Sequence, residues 1–188
     1  MREPIFGRIF DTGCFRSGAS LSHASFANLA VEGELAVRLG NDVFGPAVSE
    51  QACREAIEAV FPVIELHHYV VPKAWSPGQW LIAGGGMHAG FVFEEGSPGC
   101  SGLASFAHSL SIRINEVMVG AVGDSESLIC PIESLRWLTG RLAQFGLPLR
   151  KGQVILTGSP MKLYPVAPGS RIVVEAPPLG TSCVEIAP

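Results

Sequence analysis

This sequence predicts a mainly β, mixed α+β domain, from three observations. Short apolar runs punctuated by Gly and Pro, of which there are 22 and 14, outnumber the stretches that show a helical repeat. Strands and helices do not alternate regularly, which disfavours a doubly wound parallel sheet. At 188 residues the chain suits one domain around one sizeable core, so residues 1–188 are read as a single unit.

The elements follow in order. The first thirty residues mix Gly, Ser and aromatics, as in Phe6-Gly7-Arg8-Ile9-Phe10, and read as loops with short strands. Val31-Glu32-Gly33-Glu34-Leu35-Ala36-Val37 reads as a strand, and Asn41-Asp42 opens a turn. Residues from about Val48 to Val60 predict a helix with Ser49 as N-cap and Pro62 beyond its end, followed by a strand over Val63 to Leu66. Gly78 to Ala83 and Phe91-Val92-Phe93 look like two strand pieces interrupted by Gly84-Gly85-Gly86. Leu110 to Ile114 and Val117 to Val122 flank Asn115-Glu116 as a two-residue hairpin turn. Pro131 suits a first helical turn, Ile132, Leu135, Leu138, Leu142 and Phe145 repeat at helical spacing, and Gly146 can close the helix. Gln153 to Leu156, Arg171 to Glu175 and Cys183 to Ile186 complete the strands.

Composition excludes several classes of function. A net charge of -4 without a basic run gives a polyanion nothing to hold, so nucleic acid is not an expected partner. Five cysteines, widely spaced and never Cys-x-x-Cys, argue against zinc and against a disulfide framework, and fit a reducing cytoplasm. No stretch approaches the ~20 apolar residues of a membrane span. With 47% hydrophobic and only 16% charged residues, a surface shared between identical subunits is expected.

The chemistry centres on three acids. Glu32 and Glu34 project from one face of an extended chain, and Glu65 follows the apolar run Phe61-Pro62-Val63-Ile64. An ionised carboxylate in such surroundings is costly unless a cation or hydrogen bonds compensate it. Three carboxylates without Cys or His ligand spacing suit a hard divalent ion, Mg²⁺ or Mn²⁺. The alternative is a Glu-x-Glu that simply marks the solvated face of a strand.

The order of pieces from residue 110 onward, with Leu149-Arg150-Lys151-Gly152-Gln153-Val154-Ile155-Leu156-Thr157-Gly158-Ser159 and the terminal Leu179-Gly180-Thr181-Ser182-Cys183-Val184, resembles the fumarylacetoacetate hydrolase superfamily. The likeness is strongest to its branch of 2-keto-4-pentenoate hydratases and 4-oxalocrotonate decarboxylases. Upstream, Val31-Glu32-Gly33-Glu34-Leu35 and Val63-Ile64-Glu65-Leu66 match the segments bearing that family's acidic ligands, and Gly90-Phe91-Val92 resembles a further one. The resemblance implies a twisted, mixed β-sandwich or roll that carries magnesium on Glu32, Glu34 and Glu65. It implies a lyase, hydratase or decarboxylase, for a small 2-oxo or 2-hydroxydienoic acid of aromatic catabolism, in a cytoplasmic homo-oligomer that can partner an enzyme of the same pathway.

Departures from the pattern are equally informative. A Gly-x-Lys-x-Gly element of the family hydratases lies upstream of where this chain begins, so the usual N-terminal region is expected to be missing. The family's Asp and Arg after the third ligand correspond to His68 and Val70, an Asp-Asn pair to Gly84-Gly85, and a His-Pro element to Cys130-Pro131. Hydrolase or tautomerase chemistry, or a catalytically silent relative binding a metal or an acid, therefore stands beside the lyase.

The remaining candidates each have a plainer alternative. His88, in a glycine-rich loop, is a candidate for proton transfer or an ordinary loop histidine. Lys73, the only lysine between the acidic strands and the hairpin, is a candidate acid, base or oxyanion partner, or a lysine in solvent. On a strand, His67 shares the face of Glu65 and can hydrogen-bond it or a water; otherwise it is a strand or interface histidine. Thr157-Gly158-Ser159 is a candidate substrate-carboxylate loop, or only a turn. Gly84-x-Gly86-x-x-Ala89 fits a dinucleotide fingerprint superficially, but the strand-like Phe91-Val92-Phe93 follows where a helix is required.

Overall fold

The computed structural model describes residues 4–70, 77–94, 109–123 and 129–188. Eleven strands occur among these residues, with three short or medium helices. The first sheet contains β1 (Cys14–Arg16), β5 (His88–Phe93), β4 (Ile57–His68), β3 (Leu29–Leu39) and β8 (Val154–Leu156), in that order, with β9 (Tyr164–Pro165) also on β3. The second runs β2 (Ala19–Ser22), β11 (Gly180–Ala187), β10 (Arg171–Ala176), β6 (Leu110–Ile114) and β7 (Val117–Val122). Among the described residues only β1 with β5 and β2 with β11 pair in parallel, so the mixed, mainly β architecture expected from sequence is the one observed.

Alternation along β3 decides which side of the first sheet is the core. Leu29, Val31, Leu35, Val37 and Leu39 are buried with Ile64 and Leu66 of β4 and with Ile112, Ile172, Val174, Val184 and Ile186 of the second sheet. Gly33 lies on this face, where an added Cβ would come within 3.1 Å of Val174, so a larger residue would force the sheets apart. The even-numbered residues of β3, including Glu32 and Glu34, therefore project from the outer face. Directly opposite partners on antiparallel strands share a face, which adds Phe61, Val63, Glu65 and His67 of β4 to that side.

Helix α1 (Glu50–Ala56) is capped by the Ser49 hydroxyl, which accepts from the Ala52 N–H at 3.1 Å. It ends well before Val60, because the β-branched and aromatic run from Ile57 enters β4 and buries both faces, and that burial outweighs local helix propensity. Pro62 lies inside the strand and not beyond a helix. It is tolerated because β5 pairs with β4 only from Val63 onward, leaving Pro62 unpaired on that side. Helix α2 (Pro77–Ala83) replaces the strand expected from Gly78 to Ala83; a six-residue apolar run does not distinguish the two.

The hairpin and the long helix match expectation. Asn115 and Glu116 have φ of 50° and 64°, the left-handed pair that a two-residue turn requires. Helix α3 (Pro131–Ala143) buries Ile132 and Leu135, and Gly146, at φ 67°, terminates it. Phe145 falls past the last turn and is 61% exposed, so it does not extend the apolar stripe. Among the described residues no helix is long and apolar enough to cross a membrane.

Candidate metal and acid-binding site

The outer face of the first sheet gathers the acids. Glu32 on β3 is directly opposite Glu65 on β4, and Glu34 is opposite Val63. Glu34 is fully buried, and neither of its carboxylate oxygens has a hydrogen-bond partner of good geometry among the described residues. Beyond it the face is apolar, with Ala36, Phe61, Val63 and Phe91 buried together.

His67 and His88 complete the cluster. A bulge between Leu66 and His67 brings His67 opposite His88. The turn before β5 is left-handed at Gly85 and Gly86, with φ of 56° and 77°, a conformation that favours glycine. It delivers His88 at the start of the strand, where Nδ1 is 2.7 Å from Glu65 Oε1. His67 Nε2 is 3.4 Å from Glu65 Oε2 and 3.8 Å from Glu32 Oε2. One donor atom from each of Glu32, Glu65 and His67 falls within 4.8 Å of the others, a spacing that one ion can bridge.

Proton affinities divide the three acids. Burial drives Glu34 well above the ordinary carboxylate range, reinforced by the charges of Glu65 and Glu32 and slightly offset by the Gly158 N–H. Glu32 is pushed up to about 7, mainly by burial, with His67 opposing and Glu65 adding to the rise. Glu65 is also buried, but the hydrogen bonds and positive charges of His67 and His88 outweigh that burial and bring it down to about 2. Burial disfavours the charged form of His67, yet Glu65 and then Glu32 raise its proton affinity on balance. The site thus sets a Glu65 that favours its ionised form, hydrogen-bonded to His88 and next to His67, beside a Glu34 whose burial favours the protonated form.

The donor set passes a chemical test for a hard dication. Glu32 and Glu65, with His67, bring donor atoms close enough for one ion. Glu34 on the same face is fully buried, with no hydrogen bond of good geometry among the described residues and only the Gly158 N–H to offset its charge. Glu32, Glu34 and Glu65 are thus brought to one face, as the sequence led one to expect, and His67 shares that face with Glu65. Lys73 lies outside the described residues.

Thr157-Gly158-Ser159 follows β8 and abuts the same strand. The Thr157 hydroxyl donates to Leu35 O at 2.7 Å and the Ser159 hydroxyl to Gly33 O at 2.9 Å. Ser159 Oγ also accepts from the Met161 N–H at 3.0 Å. These hydroxyls fasten the loop to β3, and the backbone at Gly158 is what reaches Glu34.

A wall of the site carried no motif in the sequence. Residues 5–13 form a strap across the glycine-rich turn, where a Cβ on Gly7 would come within 3.2 Å of Gly85 Cα and one on Gly13 within 3.2 Å of Gly90 Cα. Between strap and turn is a cleft of about 260 Å³ that includes Arg8, Phe10, Thr12, Gly84, Gly85 and His88 in its lining. Only the Gly7 and Gly13 spacing hints at this packing in the sequence. As expected, the glycine-rich run leads into β5 and not into a nucleotide-binding helix.

Comparison with known proteins agrees with this fold. The family model described as the C-terminal part of fumarylacetoacetate hydrolase matches residues 15–187. A 2-hydroxyhexa-2,4-dienoate hydratase of Comamonas testosteroni is 28% identical over 187 residues, covering 98% of this chain and 71% of that protein. A 2-keto-4-pentenoate hydratase of Paraburkholderia xenovorans is 26% identical, over 89% of this chain and 62% of its own length. The solved 4-oxalocrotonate decarboxylase of Pseudomonas putida G7, complexed with magnesium and adipate, superposes with a TM-score of 0.88 at 21% identity, over 98% of this chain and 70% of that one. The chain therefore spans about two thirds of the length of these relatives.

Proposed function

The chain belongs to the fumarylacetoacetate hydrolase family, and from that premise we propose that it is a divalent-metal-dependent lyase, a hydratase or decarboxylase, for small 2-oxo or 2-hydroxydienoic acids. Glu32, Glu34 and Glu65 are its metal ligands, with Mg²⁺ or Mn²⁺ the ion their oxygens favour. The observation that carries this reading is the fully buried carboxylate of Glu34, without a hydrogen-bond partner of good geometry among the described residues and facing two further acids. The hydratases and the decarboxylase among its relatives support the reaction class.

The bound ion would supply Lewis acidity, steadying negative charge that develops on the substrate's 2-oxo group. The chain's own residues do the rest. A carboxylate only accepts hydrogen bonds, so His88 donates from Nδ1 to Glu65, and the neutral form of the ring held this way carries its lone pair on Nε2. His88 also lines the cleft and Nε2 is buried without a hydrogen-bond partner among the described residues. It is placed to take a proton from a substrate carbon or a water and later return it. His67 Nε2 lies 3.4 Å from the second oxygen of Glu65 and favours its charge, and Phe91 and Val63 exclude water from the floor.

The test is an ultraviolet assay on a panel of 2-hydroxydienoates and their 2-oxo acid products, with Mg²⁺ and then with a chelator. Metal-dependent turnover is expected. Thermal stabilisation by Mg²⁺ without turnover of any hydratase or decarboxylase substrate would instead identify a silent metal-binding relative, and indifference to metal would refute the proposal.

A further inference from the structure

We infer that Arg8 makes the cleft selective for acids bearing a second carboxylate, and that the substrate class is therefore dicarboxylic; this rests on the proposed function above. The cleft, about 260 Å³ in volume, falls below the roughly 300–1,000 Å³ of pockets for larger ligands, so its occupant is a small acid. At one end stands His88, whose hydrogen bond to Glu65 ties the cleft to the acidic face. Arg8 lines the same cleft from the strap.

Among the described residues Arg8 has no hydrogen bond or ion pair with protein, in a chain whose net charge is -4. A monocarboxylic acid held by its head would lay an apolar tail along this guanidinium. A dicarboxylic acid would place two oxygens against its N–H fork. Phe10 offers an apolar wall for the intervening carbons, and the Thr12 hydroxyl a further donor beside Arg8. The position is fixed by backbone, since the Gly7 and Gly13 contacts flank Arg8 on the strap.

The experiment is calorimetric titration of the Mn²⁺-loaded protein with 2-oxoadipate, 2-oxohexanoate and pyruvate, for wild type, Arg8→Gln and Arg8→Lys. Arg8 is exposed, so a charge-assisted pair there is worth about tenfold in affinity. Wild type is expected to prefer the diacid by about that factor, Arg8→Gln to lose the preference, and Arg8→Lys, which keeps the charge without the fork, to fall between. Equal weakening of both six-carbon acids in Arg8→Gln, a preference that survives Arg8→Gln, or a wild type that does not discriminate would each overturn the inference. Pyruvate has the head group and no arm: its failure to bind wild type defeats the parent reading and this one with it, whereas pyruvate binding without diacid preference removes only the role of Arg8.

Discussion

Replacing Glu34 by Gln should make the metal-free protein more stable at alkaline pH while abolishing its response to metal. The magnitude can be bracketed from Glu32, which is raised from 4.5 to about 7 although its side chain remains 18% exposed. At about 1.36 kcal/mol per unit, that rise corresponds to a penalty of roughly 3 kcal/mol for the ionised form. Glu34 is fully buried and is likewise raised well above the ordinary carboxylate range, so the Glu32 figure serves as the scale. Gln keeps the shape but remains an unpaired buried amide, which offsets about 1 kcal/mol or more of the gain. A folded-state pKa above the unfolded value gives stability that is fully present below about 4.5 and lost as pH rises through the folded value. Wild type should therefore lose stability from pH 5 towards pH 8 in a chelator, and Glu34→Gln should lose less. By pH 8 the variant should lead by about 2 kcal/mol, or roughly 4–8 °C for a domain of this size. Millimolar Mg²⁺ should reverse the order by stabilising wild type alone. The assay is thermal unfolding at three pH values with and without metal. A variant destabilised equally at every pH, and still stabilised by Mg²⁺, would refute the reasoning.

Three further outcomes follow from the same geometry. Metal affinity should rise between pH 6 and 8 as Glu32 titrates near 7, with protons released from both Glu32 and Glu34 as the ion binds; titrations in buffers of different ionisation enthalpy measure both. His88→Gln, which retains a donor for Glu65, should lower kcat by about 10²–10⁴-fold while metal-linked stabilisation persists, as paired rate and melting measurements would show. Gly90→Ala would drive a Cβ to within 2.7 Å of Gly13 O and 2.9 Å of Phe15, so it should cost about 1–3 kcal/mol in urea unfolding and displace the strap.

Much of the site was legible because its signals are local. Glu-x-Glu fixes two acids on one face through strand geometry alone, and the apolar run before Glu65 marks a buried partner strand. Asn115-Glu116 and the Pro131 to Gly146 helix were read from turn and cap chemistry. Other features depend on tertiary partners. Ile57 to Val60 reads as helix until β3 is available to pair with it and the core to take Val60. Trp80 to Ala83 is too short for periodicity to decide. The strap from Ile5 to Gly13 has no pattern of its own, since its path is set by glycine backbones meeting glycine backbones far along the chain. The bulge that places His67 opposite His88 is likewise a property of the pair of strands.

The most direct measurement is anomalous diffraction at the manganese edge from crystals grown with Mn²⁺ and oxalate. A single peak is expected on the outer face of β3 and β4, roughly 2–2.6 Å from oxygens of Glu32, Glu34 and Glu65, with His88 Nε2 facing the oxalate. A peak that omits Glu34, or ordered manganese only at surface acids, would contradict the assignment.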